Sequence, residues 1–75
     1  MTNADILIGK WGKLLAGERA GWYVFVQDDS ADTGGFIIFQ SRETSIEKGF
    51  DNWVETLDGV CRFFEFAGWS VEWLK

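Results

Sequence analysis

"GWYVFVQDDSADTGGFIIFQS", Gly21 to Ser41, carries the clearest structural signal in the chain. Trp22, Val24 and Val26 alternate with Tyr23, Phe25 and Gln27, the two-residue period of a strand. "FIIFQS" (Phe36 to Ser41) is a second strand with apolar residues on both faces. Between them Asp28, Asp29 and Asp32 crowd into five positions, followed by Gly34 and Gly35. Asp and Ser bond their own backbone in turns and Gly accepts positive φ, so the acidic stretch reads as the loop of a hairpin.

Working outward, the N-terminal side predicts a helix. Thr2 or Asn3 stands as a cap, and Leu7, Ile8, Trp11, Leu14 and Leu15 recur at helical spacing. Gly9 and Gly12 weaken that helix by about 1 kcal/mol each relative to alanine, with close packing beside Trp11 as the compensation. "AGERAG" (Ala16 to Gly21) then ends the element. On the C-terminal side, Thr44 and Glu47 fit a capping box, with Asp51 an alternative cap. From Phe50 onward, Phe50, Trp53, Val54, Leu57, Val60, Cys61 and Phe64 share one helical face, and Asp51, Glu55, Asp58, Arg62 and Glu65 share the other. Gly68 closes this helix as a C′ residue. "WSVEWLK" is a last strand with Trp69, Val71 and Trp73 facing inward. The expected fold is α+β in the order α-β-β-α-β. A small three-stranded antiparallel sheet of strand order 2-1-3 packs with two helices in a single domain, residues 1–75.

Composition bounds the function. The 75 residues include five Trp and seven Phe, enough apolar material to give so short a chain a rich core despite its net charge of −5. The only cysteine, Cys61, has no internal disulfide partner, which suits a reducing cytoplasm, and there is no histidine to activate a nucleophile. Ser41, Ser45 and Ser70 therefore lack the usual base, and no cofactor motif appears. No apolar run is long enough to span a bilayer, and "MTNADILIGK" lacks the basic start of a signal peptide.

Metal chemistry fits poorly. A calcium loop starting at Asp28 places Thr33 at the sixth position and Phe39 at the twelfth, where glycine and glutamate are required. A start at Asp29 places Gly34 correctly but leaves Ala31 and Gln40 at ligand positions. A zinc site would find no histidine and a single cysteine. Gly34-Gly35 leads into a strand rather than a helix, so it cradles no phosphate. Tyr23, Phe25, Ile37 and Phe39 resemble a base-stacking platform, yet few cations accompany them and direct nucleic-acid binding is not expected. The expectation is a non-enzyme with no metal and no cofactor.

Two features point to a protein partner. Residues 21–75 hold ten acidic and four basic side chains, a surface that attracts cationic molecules and repels nucleic acid and anionic membranes. The strands also carry more apolar side chains than one helical layer hides. With Trp22, Val24 and Val26 toward the helices, Tyr23 and Phe25 face away, together with either Ile37 and Phe39 or Phe36 and Ile38. Either the two helices cover opposite faces or another chain covers one.

"FDNWVETLDGVCRFFEFAGWSVEWLK" (Phe50 to Lys75), an acidic amphipathic helix running into a Trp-bounded strand, resembles in layout the small acidic immunity proteins of bacterial toxin–immunity pairs. The resemblance covers about a third of the chain and contains no diagnostic motif. It implies a non-catalytic inhibitor that binds and neutralises a cognate toxin of the basic, nuclease type. Asp28, Asp29, Asp32, Asp51, Glu55, Asp58, Trp22 and Tyr23 are the expected contact residues. The alternatives are a phage-encoded, anti-CRISPR-like inhibitor of a host nucleic-acid-binding defence complex, and a homodimeric structural or adaptor domain whose open sheet face pairs with itself.

Overall fold

The computed structural model describes residues 6–44 and 49–74, which form five strands and one helix. β1 is Trp11–Ala16, β2 Tyr23–Asp29, β3 Gly35–Ser41, β4 Phe50–Val54, α1 Leu57–Ala67 and β5 Ser70–Trp73. The strands form one sheet in the order β4-β3-β2-β1-β5, and every neighbouring pair is antiparallel. The expected three-stranded sheet with two helices is thus replaced by a five-stranded, mostly β architecture with one short helix.

The central hairpin forms as its alternation predicts. β2 and β3 pair without interruption from Tyr23 opposite Ser41 to Asp29 opposite Gly35. Residues 30–34 close the loop, and the Asp29 carbonyl accepts from the backbone N–H groups of Asp32, Thr33 and Gly34 at 2.9–3.3 Å. Asp28 Oδ1 accepts from the Ser30 N–H at 3.0 Å, the local bond by which Asp favours turns.

The first correction concerns Trp11 to Ala16, expected in a helix and found as β1. A run of apolar residues this short fits both periods, and tertiary pairing decides between them. β1 fills the free edge of β2, with Trp11 opposite Phe25 and Lys13 opposite Tyr23, and presents its other edge to β5. Gly12 lies beneath the Trp73 ring, where an added Cβ would meet Trp73 Cε3 at 2.8 Å. The glycine that weakens a helix is therefore a packing requirement of the strand. The proposed caps Thr2 and Asn3 lie outside the described residues.

The second correction concerns Phe50 to Val54, expected as the opening turns of the C-terminal helix and found as edge strand β4. Its partner β3 is apolar on both faces, and β4 satisfies the hydrogen bonds of β3's outer edge, with Phe50 opposite Gln40 and Val54 opposite Phe36. Asp51 is consequently a strand residue, not a helix cap. Glu47 of the expected capping box lies outside the described residues. α1 starts later, at Leu57, capped by Thr56, whose Oγ1 accepts from the Gly59 N–H at 3.0 Å. It ends as expected at Gly68, with φ 71° and its N–H bonded to the carbonyls of Phe64 and Glu65.

β4 and β5 occupy opposite edges and run parallel, so α1 must carry the chain back along the strands and across the sheet. Eleven helical residues reach about 16 Å, close to the ~19 Å width of five strands, so one crossing covers one face only. That face is the core: Leu14, Val24, Val26 and Ile38 from the sheet, Val60 and Phe64 one turn apart on α1, and Trp69. Trp69 meets Phe64 edge-on at 5.0 Å, and Trp73 stacks on Phe64 at 6.3 Å. The β1–β2 turn grips the end of α1. The Glu18 N–H donates to the Ala67 carbonyl at 3.0 Å, and the Trp69 indole N–H donates to the Glu18 carbonyl at 2.6 Å. Gly17 permits this approach, since with φ 88° any Cβ there would strike the carbonyl of Gly68.

β5 sits beside β1 rather than beside β2. The expected 2-1-3 order is therefore opened by the inserted β1, although β5 retains the inward Val71 and Trp73, with Glu72 exposed between them. No helix among the described residues is long and apolar enough to cross a membrane.

Candidate functional site

Residues paired across an antiparallel sheet share a face, so the register fixes what lies opposite the helix. That face carries Trp11, Phe25, Phe39 and Asp51 in one row, and Gln27, Ile37 and Trp53 in the next. Glu72, Lys13, Tyr23 and Ser41 form a third. Of the two arrangements the sequence allowed, Ile37 and Phe39 join Tyr23 and Phe25, while Ile38 is in the core. No described element packs over this face. Trp11 and Phe25 meet at 5.1 Å between ring centres and Phe25 and Phe39 at 6.4 Å, both tilted, so the aromatics shield one another and remain half-buried.

Trp53 is the most exposed ring of this face, at 51%. It lies across Gly35, where a Cβ would meet its ring at 2.7 Å. Its indole N–H donates to Thr33 Oγ1 at 2.8 Å, and the Thr33 hydroxyl donates to Asp29 Oδ2 at 2.8 Å. Gln27 Nε2 donates to Asp29 Oδ1 at 3.1 Å. The chain Gln27–Asp29–Thr33–Trp53 thus fixes the ring from the hairpin loop. Asp29, 9% exposed, is occupied in that framework and presents no carboxylate outward.

Topology convenes the other carboxylates. The 30–34 loop and the β4–α1 connection lie at the same end of the sheet, because Phe36 pairs with both Asp28 and Val54. Asp28, Asp32, Glu55 and Asp58, all exposed, therefore lie toward the end that carries Trp53, with Asp28 on the helix-side face that it shares with Phe36 and Val54. The Ser30 backbone N–H, helped by the Ser30 side chain, holds the Asp28 carboxyl below its ordinary 3.8 and keeps it charged. Asp58 is engaged by Arg62 at 2.8 Å, an exposed pair one helical turn apart that contributes little stability.

The predicted contact residues thus separate into groups. Asp28, Asp32, Glu55 and Asp58 share the acidic end, while Tyr23 and Asp51 lie on the open face. Trp22 belongs to the helix side, stacked on Phe50 at 6.0 Å. The expected carboxylate row along one helix is broken, since Asp51 is on β4 and Glu65 falls near the far end of α1. Trp11, Trp53 and Glu72 were not among the predicted contacts. For Trp11 and Trp53 the signal was the alternation of Trp11-Lys13-Leu15 and of Trp53-Asp51, masked by an equally good helical period, whereas Glu72 lies on a strand that the sequence did announce. No group of three metal-ligating side chains occurs among the described residues.

No protein-family model matches the chain, and neither the curated proteins nor the solved structures contain a significant match to it.

Proposed function

We propose that the protein is a non-catalytic inhibitor that docks the open aromatic face, together with the adjoining acidic end, onto a cationic protein. Within that class we favour an immunity protein that neutralises a basic, nuclease-type toxin. The observation that carries this reading is the contiguity of the two surfaces: half-buried Trp11, Phe25, Ile37 and Phe39 lead to the exposed Trp53, which the acidic loop itself holds in place. Apolar anchors surrounded by charge are the anatomy of a protein interface. Carboxylates on both edge strands, Asp51 and Glu72, against one Lys13 give the face the sign that attracts cations.

Long-range attraction raises the association rate, and desolvated rings slow dissociation. Carboxylates at the acidic end would stand where a nuclease expects phosphate oxygens. A host nucleic-acid-binding complex presents similar basic grooves, so an inhibitor of phage origin uses the same surface, and the identity of the captured partner separates the two. The test is capture of the partner by the intact chain, followed by association kinetics of the purified pair. We expect a cationic partner, an association rate that falls as salt rises, and Phe39→Ala or Trp53→Ala raising the dissociation rate at least about tenfold. An acidic partner, or a salt-independent association rate, would overturn the proposal. So would a stable homodimer that buries this face.

A further inference from the structure

The helix side of the sheet holds a cavity that the docking face does not use. It lies beside the C-terminal half of α1 and has a volume of about 250 Å³. Phe63, Phe66 and Trp69 supply its aromatic lining, and Gln40 of β3 and Asn52 of β4 its amides. Glu18 and Arg19 of the β1–β2 turn add one charge of each sign. The bonds from the Glu18 backbone to Ala67 and Trp69 hold that turn against the helix, and the Arg19 guanidinium stacks on Phe50 at 4.3 Å. The walls are therefore tied together before anything enters.

Gln40 determines what the cavity can hold. Its side chain is a buried polar group, only 3% exposed. An amide nitrogen carries two hydrogens, and both are used here: Nε2 donates to the Ile38 carbonyl at 2.8 Å and to Asn52 Oδ1 at 3.0 Å. Its Oε1 accepts from no described residue. Among the described residues no fully sealed side-chain oxygen or nitrogen lacks a partner, so Oε1 keeps an opening, and the cavity is the space that Gln40 lines. The same bond leaves Asn52 with its Nδ2 hydrogens to donate. One acceptor and one donor thus border an aromatic cavity.

We propose that this cavity binds a small, flat, uncharged amide: a single-ring molecule whose N–H donates to Gln40 Oε1, whose carbonyl accepts from Asn52 Nδ2, and whose ring lies against Phe63, Phe66 and Trp69. The volume of about 250 Å³ falls just under the range of drug-sized pockets, about 300–1,000 Å³, and suits one ring. Glu18 and Arg19 cancel in charge, so the lining favours a neutral ligand over either ion. A ligand without an N–H would cover Gln40 Oε1 and leave it unpaired, which costs more than the contact gains. Phe66, 90% exposed, is an apolar ring that a ligand would cover. The site lies on the helix side of the sheet, away from the docking face, so either assignment can fail without the other.

The experiment is an NMR titration of the intact labelled chain, following the Trp69 indole N–H and the side-chain amides of Gln40 and Asn52. Uracil and benzamide supply an amide with a ring, acetamide the amide alone, toluene the ring alone, and benzoate a ring whose carboxylate has no N–H to donate. We expect saturable shifts with uracil or benzamide, and at least about tenfold weaker binding of acetamide, toluene and benzoate. Asn52→Asp keeps the oxygen that Gln40 Nε2 bonds and removes the Nδ2 donor, so the fold survives while affinity drops about tenfold. Phe66→Ala removes an exposed ring, leaves the core intact and should weaken binding at least about threefold. Toluene or benzoate binding as tightly as the ring amides, unchanged affinity in both variants, or no saturable shift with uracil or benzamide up to about 20 mM would overturn the assignment.

Discussion

Replacing Gly12 by alanine distinguishes the two structures that the N-terminal sequence permits, because the sign of the effect differs. In a helix, Gly12→Ala would stabilise by about 1 kcal/mol, from backbone entropy and helix propensity. In β1 the new methyl would collide with Val71 Cγ1 and meet Trp73 Cε3 at 2.8 Å and Cζ3 at 3.1 Å. Val71 is β-branched and held by its strand, and Trp73 is stacked on Phe64, so neither side chain yields freely. Overpacking of this kind costs about 1–3 kcal/mol. A chain of 75 residues has only about 4–11 kcal/mol of stability in total, so the loss is readily measured. With a urea slope near 1 kcal/mol/M, the unfolding midpoint should fall by about 1–3 M. Equilibrium urea unfolding followed by Trp fluorescence is the assay. Trp73→Leu, which removes the obstructing ring, should make the Gly12→Ala penalty smaller in the double variant than in the single one. A raised or unchanged midpoint for Gly12→Ala would refute the placement of Gly12 beneath Trp73.

Other consequences are as direct. Gly17→Ala forces a Cβ toward the Gly68 carbonyl at φ 88°, so it should cost about 1–3 kcal/mol, and hydrogen exchange at the Glu18 N–H should accelerate as the turn leaves the end of α1. Thr56→Ala removes the bond to the Gly59 N–H and should cost about 1 kcal/mol, lowering the melting temperature by about 4–8 °C. Asp28 should titrate below 3.8 by carboxyl NMR. Because its folded pKa is the depressed one, its contribution to stability is present above its unfolded pKa and is lost as pH falls through the folded value. A midpoint at or above 3.8 would contradict the Ser30 bond.

The parts of the fold legible in sequence are those where local chemistry and tertiary demand agree. Tyr23 to Ser41 shows alternation and turn formers together and folds as a hairpin, with Gly34 at φ 82° in the loop, while Gly35 does not take the expected positive φ and instead opens β3. Gly68 and the Val71/Trp73 pair were likewise visible, because a left-handed cap and a two-residue period have few rivals. Trp11 to Ala16 and Phe50 to Val54 were not, because each fits a helical period of equal quality and each becomes a strand only by pairing with the hairpin's open edges. The two glycines, Gly9 and Gly12, were the available warning against a helix. Thr56 followed by Asp58 was an available sign that α1 begins seven residues later than Phe50.

The candidate surface shows the same division. The surplus of apolar side chains over what a single helix covers was evident, and the face left open carries Tyr23, Phe25, Ile37 and Phe39. Its edges were not, since Trp11 and Trp53 lie on the corrected strands and Glu72 joins the face only by pairing with Lys13 of β1. The carboxylates illustrate how topology overrides sequence neighbourhood. Asp29 turns inward to hold Thr33, while Glu55 and Asp58, distant in sequence, join Asp28 and Asp32 at one end of the sheet.

The most direct test of the docking face is NMR cross-saturation from the purified cationic partner onto the labelled chain. We predict that the strongest transfer falls on the Trp53 and Trp11 indole N–H groups and on the amides of Ile37, Phe39 and Asp32, with little at Trp22 or along α1. Transfer concentrated on α1 or on the Trp22–Phe50 side, with the open sheet face silent, would contradict the account.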